Sequence, residues 1–326
     1  MRHAFCAVHP ATRRIAMQIF VSGSLAYDRI MDFPGKFADH ILPEKIHILN
    51  VCFVVDGLKE KFGGTAGNIA YNLSLLGESP LILAAAGKDF ERYEAWLSKH
   101  GLSLSGIRFI EEELTAGAYI TTDMGGNQIT GFNLGAMKYP SLQQFEGLNP
   151  QETLAIVAAG NVEDMATYSQ SYKQHKIPYI FDPGQQISVL SGEQLVEMIT
   201  GSDLLISNDY ELEMIMQATG LGKGELLERT KAIISTFGDK GSLLRIQQDE
   251  VEIPAATALQ VVDPTGAGDA YRAGLIKGLI LGKELADAAR MGATCASYAV
   301  ERYGTQEHSF TDEGFWARHL ATFGET

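Results

Sequence analysis

The sequence predicts an α/β fold, a mostly parallel sheet covered by helices, with a small β lid inserted into it. Three observations predict this. Short apolar or β-branched runs at 18–22, 80–86, 153–158, 178–182, 203–207 and 232–236 read as strands, several of them nearly all apolar, which suits strands covered on both faces. Helical patterns lie between these runs, the rhythm of βα units around a parallel sheet. Two extended stretches, 46–56 and 116–134, break the rhythm and are expected to pair outside the main sheet.

Residues 1–16 carry Arg2, His3, His9, Arg13 and Arg14 without a continuous apolar stretch, a poor signal peptide. They read as a flexible extension or a misassigned start, and Met17 opens the first strand. That leaves 17–326 as one domain, with lid segments at about 29–62 and 114–136. Between the lid segments Ala66, Ile69, Ala70, Leu73 and Leu76 recur at helical spacing and Gly77 supplies the stop. The second lid stretch is split by Met124-Gly125-Gly126-Asn127, a hairpin turn. A late helix is expected over 284–302. Inserted strands of this kind form lids that keep water from a site.

Composition narrows the function. Of the 326 residues 45% are hydrophobic and 20% charged, ordinary for a folded chain. Forty Asp and Glu against 26 Lys and Arg give a net charge of -14, which repels phosphate backbones and anionic lipid. No apolar run reaches the roughly 18 residues of a membrane span, so neither nucleic acid nor membrane is an expected partner. The three cysteines, Cys6, Cys52 and Cys295, form no CxxC pair, which is neither a disulfide framework nor a zinc knuckle; a cytoplasmic protein is expected.

The strongest motif is Asp263-Pro264-Thr265-Gly266-Ala267-Gly268-Asp269-Ala270-Tyr271, a glycine-rich turn opening a helix. The amides of Gly266, Ala267, Gly268 and Asp269 would converge at the positive end of the helix dipole as an anion hole. A carboxylate there sits beside any phosphoryl group held by those amides, so Asp269 can take a proton from an attacking hydroxyl. Composition alone leaves helix capping as an equal alternative.

The turn is not a Walker loop, because GxxxxGK[ST] is absent, and Gly23-Ser24-Leu25-Ala26-Tyr27-Asp28 lacks the second glycine of a dinucleotide fingerprint. It resembles the second signature of the ribokinase-like carbohydrate and nucleoside kinases, the PfkB family. Phe62-Gly63-Gly64-Thr65-Ala66-Gly67-Asn68 resembles that family's first signature. The resemblance implies a three-layer α/β/α kinase with ATP as co-substrate, Mg²⁺, and Asp269 as base. It also implies that Asp28 grips the hydroxyls of a sugar, and that Gly64 and Asn68 contact substrate. Asn208-Asp209-Tyr210-Glu211 resembles the NxxE motif of the magnesium and phosphate region, with Asn208 and Glu211 reaching the metal through water. Thr236, Gly238 and Gly241 fall in a segment similar to the nucleotide loop, and the helical stretch 292–303 would flank ATP. Pro264 replaces the threonine of a DTTGAGD pattern, which leaves a monovalent-cation site near Asp263 open.

Shorter stretches, Phe181-Asp182-Pro183-Gly184-Gln185 and Tyr303-Gly304-Thr305-Gln306 among them, look like bacterial adenosine-kinase-like members. The lysine common in sugar kinases of the family is absent from Thr65-Ala66-Gly67. Val51, Phe53 and Val55 alternate with Cys52 and Val54, an apolar face on which a purine can stack. The expected activity is phosphorylation of the adenosine 5′-hydroxyl by a monomer or a homodimer formed through the lid. A sugar kinase of the same family and a non-catalytic nucleoside-binding regulator are the alternatives.

Overall fold

The computed structural model describes residues 17–48 and 50–324; the expectation for residues 1–16 lies outside the described residues. The strands are β1 (Gln18–Ser22), β2 (Ala26–Asp32), β3 (Asp56–Gly63), β4 (Leu81–Gly87), β5 (Ile107–Ile110), β6 (Ala116–Thr122), β7 (Gln128–Asn133), β8 (Thr153–Val157), β9 (Tyr179–Phe181), β10 (Leu204–Asn208), β11 (Ile233–Thr236), β12 (Ser242–Ile246) and β13 (Asp249–Ile253). The helices are α1 (Thr65–Leu75), α2 (Glu91–Lys99), α3 (Val162–His175), α4 (Gly192–Ile199), α5 (Asp209–Thr219), α6 (Lys223–Leu227), α7 (Ala267–Ile280), α8 (Leu285–Ala299) and α9 (Asp312–Phe323).

Nine strands form the main sheet in the order β13-β12-β11-β10-β9-β8-β1-β4-β5. It is parallel from β5 to β11, and an antiparallel β12–β13 hairpin closes one edge. Alternation along β1 shows the layers: Ile19 and Val21 pack into the core under α1, α7 and α8, while Phe20 packs with Met165, Tyr168 and Tyr172 of α3. Both faces are dry, which is why the six apolar runs were legible as strands. Among the described residues no helix is long and apolar enough to cross a membrane.

The second sheet is β3-β2-β6-β7, the one expected as a lid, and its first strand departs from the expected position. The first lid strand was expected at 46–56, yet pairing starts at Asp56; Pro43–Ile48 is a 3-10 helix and residues 50–55 join no ladder. The true strand carries Lys59, Glu60 and Lys61 and begins with four exposed residues, so it has no apolar alternation to read. The alternation at 51–55 has another origin: Phe53 packs on Phe33 (4.8 Å), Phe37 (5.0 Å) and His40 (6.0 Å). The hairpin turn after β6 lies where expected, tied by the Asp123 carboxylate, which accepts the amides of Gly125, Asn127 and Phe37.

Strand order reverses beside β1: the chain builds β4 and β5 on one side, then returns to lay β8 on the other. A crevice opens beyond the carboxyl ends at such a point. Its floor requires glycine. A Cβ on Gly160 would lie 2.7 Å from the Gly23 carbonyl carbon, and one on Gly23 would lie 2.5 Å from Thr65 Oγ1. The lid strand β2 leaves from this end of β1.

Candidate active site

Helices α1 and α7 bring their first turns together at the crevice. Asn68 Nδ2, on α1, donates to Asp269 Oδ2, on α7, at 2.7 Å. The turn ahead of α7 is braced by Asp263, whose two carboxylate oxygens accept the amides of Thr265 (2.9 Å) and Gly304 (3.0 Å). Gly266 has φ +80°, and a Cβ there would meet the Thr305 side chain at 2.9 Å, so the turn tolerates no other residue. One expected donor is lost to the anion hole, because the Ala267 amide turns back to the Pro264 carbonyl at 3.2 Å. Gly268 and Asp269, in the first turn, have no acceptor within the helix.

Burial pushes the Asp269 carboxyl up to about 7, held down in part by the Asn68 hydrogen bond and by Arg272, with Asp182 and Asp28 pushing it further up. A carboxylate that titrates near neutrality is suited to proton transfer. Asp28 stands in the middle of β2, paired with Lys61 and Ala118. Burial, with the charge of Asp263 added, raises its carboxyl to about 6. A Cβ on Gly63 would lie 2.6 Å from Asp28 Oδ2; Gly63 leaves room for that carboxylate. Gly64, expected to contact substrate, also has a packing role. At φ +87° its Cα faces the Ser24 carbonyl, 2.5 Å from where a Cβ would be, so the fold itself demands this glycine.

Reading by motif assigned no role to the groups that brace the site. Arg272 and Asp182 form a bidentate pair (Nε to Oδ2 2.7 Å, Nη2 to Oδ1 2.9 Å), and Arg272 Nη1 donates to the Gly268 carbonyl at 3.1 Å. Asp182 lies in the Phe181 to Gln185 stretch and Arg272 just after the glycine turn, but only the fold shows them paired. Asn208 and Glu211 make a reciprocal capping box at the start of α5, the Asn208 side chain accepting the Glu211 amide (2.7 Å) and Glu211 Oε2 accepting the Asn208 amide (2.8 Å). Burial raises the Glu211 carboxyl, the Asn208 amide opposes this, and Asp182 and Arg272 also act on it. Thr236 lies beside Asn208 in the sheet, and Gly238 and Gly241 lie in the turn between β11 and β12, both at positive φ. Among the described residues no hydrogen bond of these three reaches Asp269, Asn68 or Asp28.

The pfkB family carbohydrate kinase model matches residues 36–312. The chain belongs to this family. The fold is accordingly ribokinase-like, and the protein is a kinase, a phosphotransferase with an alcohol group as acceptor. A nucleoside kinase of Methanocaldococcus jannaschii is 34% identical over 269 residues, 81% of this chain and 87% of the relative. Its solved structure superposes with a TM-score of 0.84 over 94% of this chain and 99% of that one, at 31% identity. The Burkholderia thailandensis nucleoside kinase, solved with inosine, gives a TM-score of 0.83 at 35% identity over 94% and 98% of the two chains. The same kinase has been solved with ADP and inosine; there the TM-score is 0.81 at 36% identity, over 94% and 96%.

Proposed function

We propose that this kinase transfers the γ-phosphoryl group of ATP to the 5′-hydroxyl of a nucleoside, adenosine in our reading. The observation that carries it is the Asp269 carboxylate at the start of α7, held by Asn68 at 2.7 Å in the crevice that Asp28 enters from the lid. Asp28 accepts hydrogen bonds from the ribose diol, which a carboxylate does without offering a competing donor. Asp269 accepts the 5′-hydroxyl proton as the oxygen attacks. The amides of Gly266, Gly268 and Asp269 hold the transferred phosphoryl oxygens at the helix N-terminus. Closure of the lid keeps water from competing as acceptor.

The relatives named nucleoside kinase support a nucleoside acceptor, and the lid supports a purine. Asp28 pairs with Ala118 and Ala118 with Phe132, and paired residues of neighbouring strands share a face. The ring of Phe132, 47% exposed, therefore stands on the face that carries the ribose ligand. It replaces the platform expected at Val51, Phe53 and Val55.

On the nucleotide side, Gly238 and Gly241 let backbone approach ATP beside Thr236. Among the described residues no three His, Cys, Asp or Glu gather into a metal cage, and one Glu211 oxygen is committed to its cap. That donor set fits Mg²⁺ held by phosphates and water, with Asn208 and Glu211 acting through water. When bound, the ion neutralises charge on the phosphates.

A panel of nucleosides and sugars with ATP and Mg²⁺ tests the proposal. Adenosine is expected to exceed ribose, fructose and fructose 6-phosphate in kcat/KM by at least about tenfold, roughly 1.4 kcal/mol. Preference for a free sugar would transfer the assignment to a sugar kinase, and nucleoside binding without turnover would make the protein a regulator.

A further inference from the structure

A chain of buried amides runs from the lid-side helix α2 to the base, and its direction is fully determined. Trp96 Nε1 donates to Gln306 Oε1 at 2.8 Å. An indole has only a donor, so Gln306 must present its oxygen to Trp96 and its Nε2 to the other side. There Nε2 donates to Asn68 Oδ1 (3.0 Å) and to the Tyr93 hydroxyl (2.6 Å). Tyr93 can accept because its own proton goes to the Gly63 carbonyl at 2.8 Å. With Oδ1 so engaged, Asn68 has its NH₂ left for Asp269 Oδ2, the 2.7 Å contact at the centre of the site. Gln306 and Asn68 are 2% and 4% exposed, so no solvent is at hand to satisfy a reversed arrangement.

We infer that Trp96 and Gln306 are positioning residues, which hold the Asn68 amide with its N–H toward Asp269 and so keep that carboxylate an acceptor ready for the substrate proton. The inference rests on Asp269 being the base. Reversing the chain would turn Asn68 Oδ1 onto the carboxylate and favour its protonated, idle form. Asn68 thereby acts on the base, beyond the substrate contact expected of it. The charged and titratable groups facing Asp269 are Arg272 on its own helix, Asp182 after β9, Asp28 on β2 and Tyr93 on α2; among the described residues the Trp96 side chain has no hydrogen bond to any of them, and of the two only Gln306 bonds to one, the Tyr93 hydroxyl.

Two readouts test this: kcat/KM against pH, and titration of the Asp269 carboxyl by NMR of protein labelled with ¹³C-aspartate, with Asp269→Asn to assign the signal. Trp96→Phe keeps the ring stacked on Phe62 and Tyr71 but removes the donor that sets the direction. It is expected to move the acid limb and the carboxyl titration up by about one pH unit. Gln306→Glu, which can only accept, is expected to move both further. Tyr93→Phe removes a polar atom from the same buried cluster without releasing the direction, and is expected to leave both where they are. An unmoved titration in Trp96→Phe, or an equal shift in Tyr93→Phe, would overturn the relay. Wild-type kcat in Asp269→Asn would instead overturn the base assignment, while the titration would still judge the relay.

Discussion

Asp182→Asn and Arg272→Met should pull the same base in opposite directions while destabilising the fold alike. The two side chains are 5% and 7% exposed and are joined by two hydrogen bonds of 2.7 and 2.9 Å. Removing one member of such a pair strands the other charge in the interior, at about 3–5 kcal/mol. At roughly 2–4 °C per kcal/mol for a chain of this size class, Tm falls by about 6–20 °C. The catalytic effect has a sign that packing does not have. Asp182 raises the Asp269 carboxyl and Arg272 lowers it. Losing Asp182 therefore shifts the acid limb of kcat/KM down, and losing Arg272 shifts it up, each by about half a unit to one unit. Arg272→Met also frees the Gly268 carbonyl, loosening the turn whose amides face the phosphoryl group, so its kcat falls further. Asp182→Leu with Arg272→Met in one chain leaves no stranded charge and is expected to melt above either single variant. The assays are thermal melting and a pH series of initial rates. Limbs that move the same way, or a double variant that melts below both singles, would refute the reasoning.

Three further outcomes follow from the site. Because burial raises the Asp269 carboxyl from 3.8 to about 7, its contribution to stability is complete below the unfolded value and is lost as pH rises through 7. Asp269→Asn is thus expected to melt higher than wild type at pH 8, lose that advantage at pH 4, and drop in kcat by about 10²–10⁴; equal melting at both pH values would count against a buried charge. Asp28→Ala is expected to raise KM for the nucleoside with KM for ATP little changed, and 2′- or 3′-deoxy analogues should then lose less than they do on wild type; equal losses would place Asp28 away from the diol. Phe132→Ala is expected to raise KM for adenosine by about tenfold, on the scale of one aromatic contact, and to leave any residual sugar turnover unchanged; a parallel loss for sugars would remove Phe132 from the base site.

What the sequence showed of this fold follows burial. Six of the nine strands of the main sheet are largely apolar because both of their faces are buried, so each of these runs stands out without reference to its neighbours. The lid is a sheet with one face against little else, and β7 is exposed along its whole length. Its strands are specified by register with one another, Asp28 to Lys61 on one side and to Ala118 on the other, which no local pattern records. The alternation at 51–55 misled for the same reason: it reports Phe53 inserting between Phe33 and Phe37, a contact with no period. The site divides likewise. Asp269, Asn68 and Asp28 were legible because their motifs are local, whereas Asp182 with Arg272 and Trp96 with Gln306 are 90 and 210 residues apart.

Two glycine-rich helix starts that look alike in the sequence do opposite work, and the difference lies in where their amides go. At α1 the amides of Thr65, Ala66 and Gly67 all donate to Ser24, one to its hydroxyl and two to its carbonyl. The positive end of that helix is thereby consumed in tying β1 to α1, and what it contributes to the crevice is a side chain, Asn68. At α7 only Ala267 is turned back, to Pro264, and Arg272 holds the Gly268 peptide from behind through its carbonyl. The first-turn amides of Gly268 and Asp269 thus keep the dipole's field for an anion. In the proposed reaction, one helix gives the site a donor that holds the base, and the other gives it the base and the charge that receives a phosphoryl group. A residue pattern of glycines and a following polar group cannot tell these apart; the acceptor at Ser24, 41 residues upstream of Thr65, decides it.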